Sequence, residues 1–469
     1  MRRRRAADAD GGNGTHGGAG LPLLVVSDAE GNVFEIPELR MAGMALRRPV
    51  LPDAEDLIPL PDGSDLFQLP GRTAVGYDPA SGEFVEVDEY GGIPVWAVAA
   101  FMAPAYMQIL GAAFRPEAQA PPLTLFSYTA VGWRQGGGAG GGAGTGRRGD
   151  GDGGGFAVCG VRIDADRRQD PALMDEGAIR RGSERMLSRY PSNRLVSHLV
   201  ENCVRRYGCP AARNFVQGRW ECPVPTARGC NARCIGCLSC QTEEAGFPSS
   251  QDRIAFTPSV EEIVPFCADH LESAPRPVIS FGQGCEGEPL LEGDLIEEAI
   301  RRIRRRTDRG VINVNTNGSR PDVVRRLCAA GLDSIRVSLS SAREPFYEAY
   351  FRPSGFGLEH ALESLRIVRR AGLWSSVNYF VFPGFTDGHE ETEALCRVLT
   401  EARVNMVQTR NLNLDPDLYV DRLGLNAPEE NPPGMRAWLE TIRRRCPWVR
   451  LGYFNPPREE MRDAHFRFP

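Results

Sequence analysis

The sequence contains no lysine, and all 55 basic residues are arginine. That absence excludes Schiff-base catalysis, pyridoxal-phosphate anchoring and the lysine of a phosphate-binding loop together. Long apolar runs are also missing. The longest, Ile93 to Met107, covers 15 residues and contains two prolines, short of the roughly 20 needed to span a bilayer. The arginine-rich start, MRRRRAADAD, is followed by no apolar segment, so neither a secretory signal nor a membrane partner is expected, and a cytoplasmic protein is. Positive charge is not in excess: 61 acidic residues against 55 basic ones give a formal net charge of −6. No nucleic-acid partner is expected from that balance. At 42% apolar over 469 residues, the chain can bury a large core and form two or three domains.

Thirteen cysteines are too sparse for a disulfide scaffold, and they are unevenly placed. Cys203, Cys209, Cys222, Cys230, Cys234, Cys237 and Cys240 fall within 38 residues. Without an export signal, such clustering points to metal or redox chemistry.

The chain reads as five segments. Residues 1–20 are arginine, glycine and small polar residues, with no fixed structure expected. Residues 21–165 read as a β-rich domain: LPLLVVSDAEGNVFEIP and TAVGYDPASGEFVEVDEY are hairpins turning at Asp28 to Asn32 and at Asp78 to Gly82. Inside that domain, 13 of the 20 residues from Gly136 to Gly155 are glycine, so 136–155 is expected to be a disordered hairpin loop. Residues 166–220 form a helical connector, with one helix expected from Asp175 to Arg206. From 221 to 412, the runs ECPVPTA, PVISF, VINVN, SIRVSL, SSVNYFVF and NMVQTR alternate with helical stretches. Alternation of this kind predicts strand–helix units and a parallel sheet, an α/β partial (β/α)6 TIM-type barrel. Residues 413–469 form a short α/β C-terminal extension. The arginines of RRIRRRTDRG (Arg301 to Gly310) close a predicted helix, where positive charge suits the dipole and solvent.

The segment GCNARCIGC places Cys230, Cys234 and Cys237 in the loop after the first predicted strand. Three thiolates can hold three irons of a cubane cluster and leave the fourth open to a cofactor. The bland reading is a structural zinc site formed by the same three with Cys240. Downstream, VISFGQGCEGEPLL ends a predicted strand in Gly287, Glu288 and Pro289.

These features together resemble the radical S-adenosylmethionine superfamily, nearest the molybdenum-cofactor and peptide-modifying types. The likeness extends over residues 221 to 411. It implies a 4Fe–4S cluster on Cys230, Cys234 and Cys237, and contacts to S-adenosylmethionine from Gly287, Glu288, Pro289, Asn315, Asn317, Ser338, Ser340, Asn378 and Arg410. It also implies reductive cleavage of the cofactor to a 5′-deoxyadenosyl radical, which abstracts hydrogen from a small-molecule or peptide substrate. An electron donor such as flavodoxin or ferredoxin is implied as partner, and no catalytic side chain is assigned. Two positions depart from the family pattern: Gly236 stands where an aromatic is frequent, and Cys285-Glu286 where another glycine is. Residues 412 to 469 hold only Cys446, too few for a C-terminal auxiliary cluster, and no cobalamin-binding motif is present.

The alternative is a non-catalytic, metal-stabilised scaffold on the same barrel. Cys203, Cys209 and Cys222 are read either as core fillers or as members of a second cluster with another cysteine. Cys285, close to the glycine motif, is a candidate to approach substrate. His198, His270 and His360 are read as packing or surface residues.

Overall fold

Alternating apolar runs before residue 165 become antiparallel strands, and the continuous apolar runs after residue 220 become parallel ones. The difference follows from burial, since a parallel strand is covered on both faces and needs no polar alternation. A computed structural model of the chain describes residues 2–5, 20–136, 153–425 and 432–461. The described residues fall into two compact units: residues up to 163 with 381–389 and 410–439, and residues 164–380, 390–409 and 440 onward.

In the first unit both expected hairpins form. Leu23–Ser27 pairs antiparallel with Val33–Met41, and Arg72–Asp78 with Glu83–Tyr90. The first turn is tied by the Asp28 carboxylate, which accepts from the backbone N–H of Glu30 and Asn32, an Asx-type turn. Val131–Arg134 and Gly155–Arg162 pair on either side of the glycine-rich stretch, most of which (137–152) lies outside the described residues. Arg2–Arg5, expected without fixed structure, pairs antiparallel with Val85–Glu89; a backbone ladder needs no apolar side chains, and that partner strand had an open edge. The other residues of 1–20, except Gly20, are outside the description. One core of this unit gathers Leu24, Ile36, Leu39, Leu69, Val87 and Phe114.

The same unit buries an ion pair. Arg72 Nη2 donates to Asp415 Oδ2 at 2.6 Å, with both side chains 3% exposed. Leu123 N–H reaches the same oxygen, and Asp417 N–H reaches Oδ1. Asp415 thus caps the helix Pro416–Leu423 while neutralising a buried guanidinium.

The second unit is built on seven parallel strands in sequence order: Glu221–Val224, Val278–Phe281, Val311–Thr316, Ser334–Leu339, Trp374–Val381, Met406–Asn411 and Arg450–Gly452. The first six match the expected runs. The seventh, assigned by sequence to a separate extension, pairs with Met406–Gln408 and adds one strand to the expected six. Its placement is fixed by Asp164, whose Oδ2 accepts from the N–H groups of Tyr453 and Phe454. Among the described residues no ladder joins the seventh strand to the first. Helices alternate with the strands from Val260–Ser273 to Met435–Arg445. Val260–Ser273 starts at a capping box in which Ser259 and Glu262 bond each other's backbone N–H.

The connector is not one helix. It breaks at Pro191, where no N–H can continue the ladder, into Glu176–Arg189 and Arg194–His198. It then widens into a π-helix over Leu199–Arg206 before a further helix, Pro210–Val216. Among the described residues no helix is long and apolar enough to cross a membrane.

Candidate metal and cofactor site

The loop after the first parallel strand is pinned from two directions. Gly287 N–H donates to the Ala227 carbonyl at 2.7 Å and Glu288 N–H to the Gly229 carbonyl at 2.8 Å. On the other side the N–H groups of Arg233 and Ile235 donate to Phe351 and Tyr350 carbonyls, and Ser354 N–H to Asn231. The helix making these contacts, Glu344–Phe351, is absent from the sequence reading. Gly236 faces it: a Cβ there would lie 2.9 Å from the Tyr350 hydroxyl, so tyrosine occupies the space that a side chain at 236 would need.

Cys230, Cys234 and Cys237 are half-buried in this loop. Burial pushes the Cys230 thiol up to about 11 and the Cys234 thiol well above its ordinary value. The charges of Cys237 and Cys230 add to the effect at Cys234, so the three sulfurs lie within electrostatic reach of one another. Three thiolates held this close disfavour one another unless a cationic centre compensates. Arg253 Nη2 donates to Cys237 Sγ at 3.4 Å, and Gln241 Nε2 donates to the carbonyls of Ile235 and Cys237. Cys240, the fourth thiol of the zinc alternative, is exposed.

Two buried glutamates organise the neighbouring strand ends. Glu286 accepts from the N–H groups of Thr226, Ala227 and Gln283 and from the Thr226 hydroxyl, locking the second strand's turn to the end of the first. Glu288 accepts from the Thr316 hydroxyl and from the N–H groups of Leu290 and Asn317. Burial raises both carboxyls to about 7, partly offset by those hydrogen bonds. Glu286, which the sequence offers with Glu288 as a candidate for a polar role, braces the turn through the three N–H donors bonded to it.

The implied cofactor residues divide by what they already bond. Gly287, Glu288 and Pro289 sit where the second strand turns toward its helix. Asn315 donates to the Gly282 carbonyl and accepts from Asn313. Asn317 donates from Nδ2 to Asn231 Oδ1 at 2.9 Å, tying the third strand's end to the cysteine loop. Ser338 and Asn378 are register partners on the fourth and fifth strands. Ser340 Oγ and Asn378 Oδ1 are buried with no hydrogen-bond partner. Arg410 stands at the end of the sixth strand. The Pro383-Gly384 turn packs in the first unit: Leu46 N–H donates to the Pro383 carbonyl, and a Cβ on Gly384 would lie 2.7 Å from that nitrogen.

Below these positions the sheet interior is polar. Asn313 bonds Ser280, Ser334 and Asn315, while Asn455 bonds Ser280, Asn315 and Gln408, which accepts from Arg336. A connected network of this kind fixes rotamers at six strand positions, Ser280, Asn313, Asn315, Ser334, Arg336 and Gln408.

The strand-end geometry fits both groups of the resemblance. The thiols can hold three irons, and the buried, unpartnered Ser340 Oγ and Asn378 Oδ1 are the atoms a polar cofactor would satisfy.

Residues 224–396 match the family model described as the Radical SAM superfamily. No curated protein matches the chain. Among solved structures, HydG, a maturase of the FeFe-hydrogenase, aligns with 59% of this chain and 66% of its own at 14% identity and a TM-score of 0.34. A radical SAM methyltransferase from Sphaerobacter thermophilus aligns with 49% and 65% at 17% identity and 0.33. TsrM from Kitasatospora setae, a radical S-adenosylmethionine methyltransferase with cobalamin and a 4Fe–4S cluster bound, aligns with 40% and 36% at 18% identity and 0.28. The chain therefore spans less than two thirds of the length of each of these structures.

Proposed function

We propose that this chain, whose residues 224–396 form a domain of the radical SAM superfamily, is an enzyme that cleaves S-adenosylmethionine reductively and abstracts hydrogen from a small-molecule or peptide substrate. The superfamily uses a 4Fe–4S cluster and S-adenosylmethionine. Cys230, Cys234 and Cys237 would hold three irons. When bound, the reduced cluster supplies an electron that breaks the sulfonium carbon–sulfur bond, giving methionine and a 5′-deoxyadenosyl radical.

The observation that carries this reading is a loop with three half-buried thiols that is pinned by backbone hydrogen bonds to the Gly287–Glu288 turn after the second strand. The chain's own part is positioning. Ser340 and Asn378 are the side chains with free polar atoms for the cofactor, and Ser338 and Arg410 stand at neighbouring strand ends. Gly287 and Pro289 contribute backbone, with glycine permitting close approach. Glu288, Asn315 and Asn317 spend their hydrogen bonds on the frame, and act on the cofactor by holding that frame still. The fold we assign is a partial (β/α)6 barrel extended by one strand, in a cytoplasmic enzyme served by a flavodoxin- or ferredoxin-type donor.

The test is anoxic reconstitution with iron and sulfide, followed by dithionite and S-adenosylmethionine. 5′-Deoxyadenosine and methionine are expected, and both should vanish with the iron when the three cysteines are changed together to alanine. A protein that holds about four irons yet yields no 5′-deoxyadenosine would be the scaffold instead.

A further inference from the structure

A second group of metal-type ligands lies outside the cysteine loop. A ring nitrogen of His198 and the Sγ atoms of Cys203 and Cys285 all lie within 4.8 Å of one another. The two sulfurs are 4.0 Å apart across a sequence separation of 82. Cys203 and Cys285 are 3% and 4% exposed. His198 Nε2 and Asn202 Nδ2 are buried with no hydrogen-bond partner. Cys203 stands in the π-helix Leu199–Arg206, a distortion found most often at functional sites. The backbone N–H of Cys209 donates to the Cys203 carbonyl at 2.8 Å, which closes the turn after the π-helix.

The sulfur spacing discriminates among chemistries. A disulfide needs about 2.05 Å. Two thiolates on one tetrahedral ion, each at about 2.3 Å, stand about 3.8 Å apart. Cysteines of a cubane bind different irons and are held farther apart. The observed 4.0 Å suits a single ion. Two sulfurs and one imidazole are a soft set that suits zinc, and three protein ligands leave one tetrahedral position for water.

We propose that His198, Cys203 and Cys285 bind one zinc ion, separate from the cysteine triplet. The ion would fasten the connector to the turn Gly282–Glu288. Cys285 there accepts Ile254 N–H on its carbonyl, and Glu286 locks the first strand's end. Its loss would loosen the frame beside the cysteine loop without removing any residue from it.

The test measures zinc and iron in anaerobically purified full-length protein. About one zinc per chain is expected, retained when Cys230, Cys234 and Cys237 are all alanine, and reduced more than tenfold in Cys203→Ser/Cys285→Ser. Because removing buried ligands can unfold a chain, a second measurement uses the unaltered sequence. Cobalt(II) in place of zinc should give intense tetrahedral d–d bands and sulfur-to-metal charge transfer. Zinc that disappears with the triplet, cobalt without thiolate charge transfer, or a Cys203–Cys285 disulfide in the purified protein would each overturn the proposal. None of these outcomes depends on cleavage of S-adenosylmethionine.

Discussion

A Cβ built on Gly287 would lie 1.8 Å from the carbonyl oxygen of Gly229. No side chain fits that gap, and the obstacle is backbone rather than a movable side chain. Glu288 N–H donates to the same carbonyl, so the approach is also what carries the hydrogen bond. Gly287→Ala should therefore push the loop of Cys230 away from the second strand's turn. We expect a loss of about 1–3 kcal/mol and poor iron retention after reconstitution, read by denaturant titration and iron analysis. Wild-type stability with full iron content would refute the structural role given to this contact.

Ser340 and Asn378 carry buried oxygens that bond nothing within the protein. Removing them should leave the cluster-free fold as stable as before, because no hydrogen bond is lost. Binding should suffer instead. Ser340→Ala and Asn378→Ala should each weaken S-adenosylmethionine about tenfold, measured by equilibrium dialysis on the reconstituted protein. Unchanged affinity in both would move the cofactor elsewhere.

Asp415→Ala strands the Arg72 guanidinium in a site where both side chains are 3% exposed. Breaking one partner of a buried pair costs about 3–5 kcal/mol, and here three backbone N–H groups also lose their acceptor. Urea unfolding should show that loss. A change below about 1 kcal/mol would mean that water reaches the guanidinium.

His270 is 5% exposed, and its Nε2 lies 2.9 Å from the Trp220 carbonyl. Burial lowers its pKa from 6.5 to about 4. Between those values the unfolded chain binds a proton that the folded chain refuses, so stability falls as pH drops through that window and is fully present above it. The shift corresponds to about 3 kcal/mol. In His270→Gln the part of the pH 4–6.5 dependence that belongs to this imidazole should vanish. Identical slopes for the two proteins would show that the group titrates normally.

The six strand runs of the parallel sheet were legible because buried strands read as short apolar blocks, and Pro321 and Ser259 marked their helices at the N-terminus. The helix Glu344–Phe351 was not. Its aromatics do share one helical face, with Tyr347, Tyr350 and Phe351 buried, but eight residues starting at a proline are shorter than the window of about 11 over which that period is read. Cys203 and Cys285 were visible only as residues: nothing local links positions 82 apart. The triplet spacing was readable because its cysteines are local, whereas a cluster shared between a connector and a strand turn leaves no spacing to read. The seventh strand was visible as a strand, but its membership of the sheet depends on Asp164, almost three hundred residues away.

The cysteine loop is shaped by Tyr350, Phe351 and the Ala232–Pro353 bridge, all more than a hundred residues downstream. A nascent chain that has emerged only as far as Cys240 carries every triplet thiol but none of the wall that gathers them. The shape of that loop is therefore a property of the chain through Pro353, and a fragment ending before the helix Glu344–Phe351 would carry the thiols without their support.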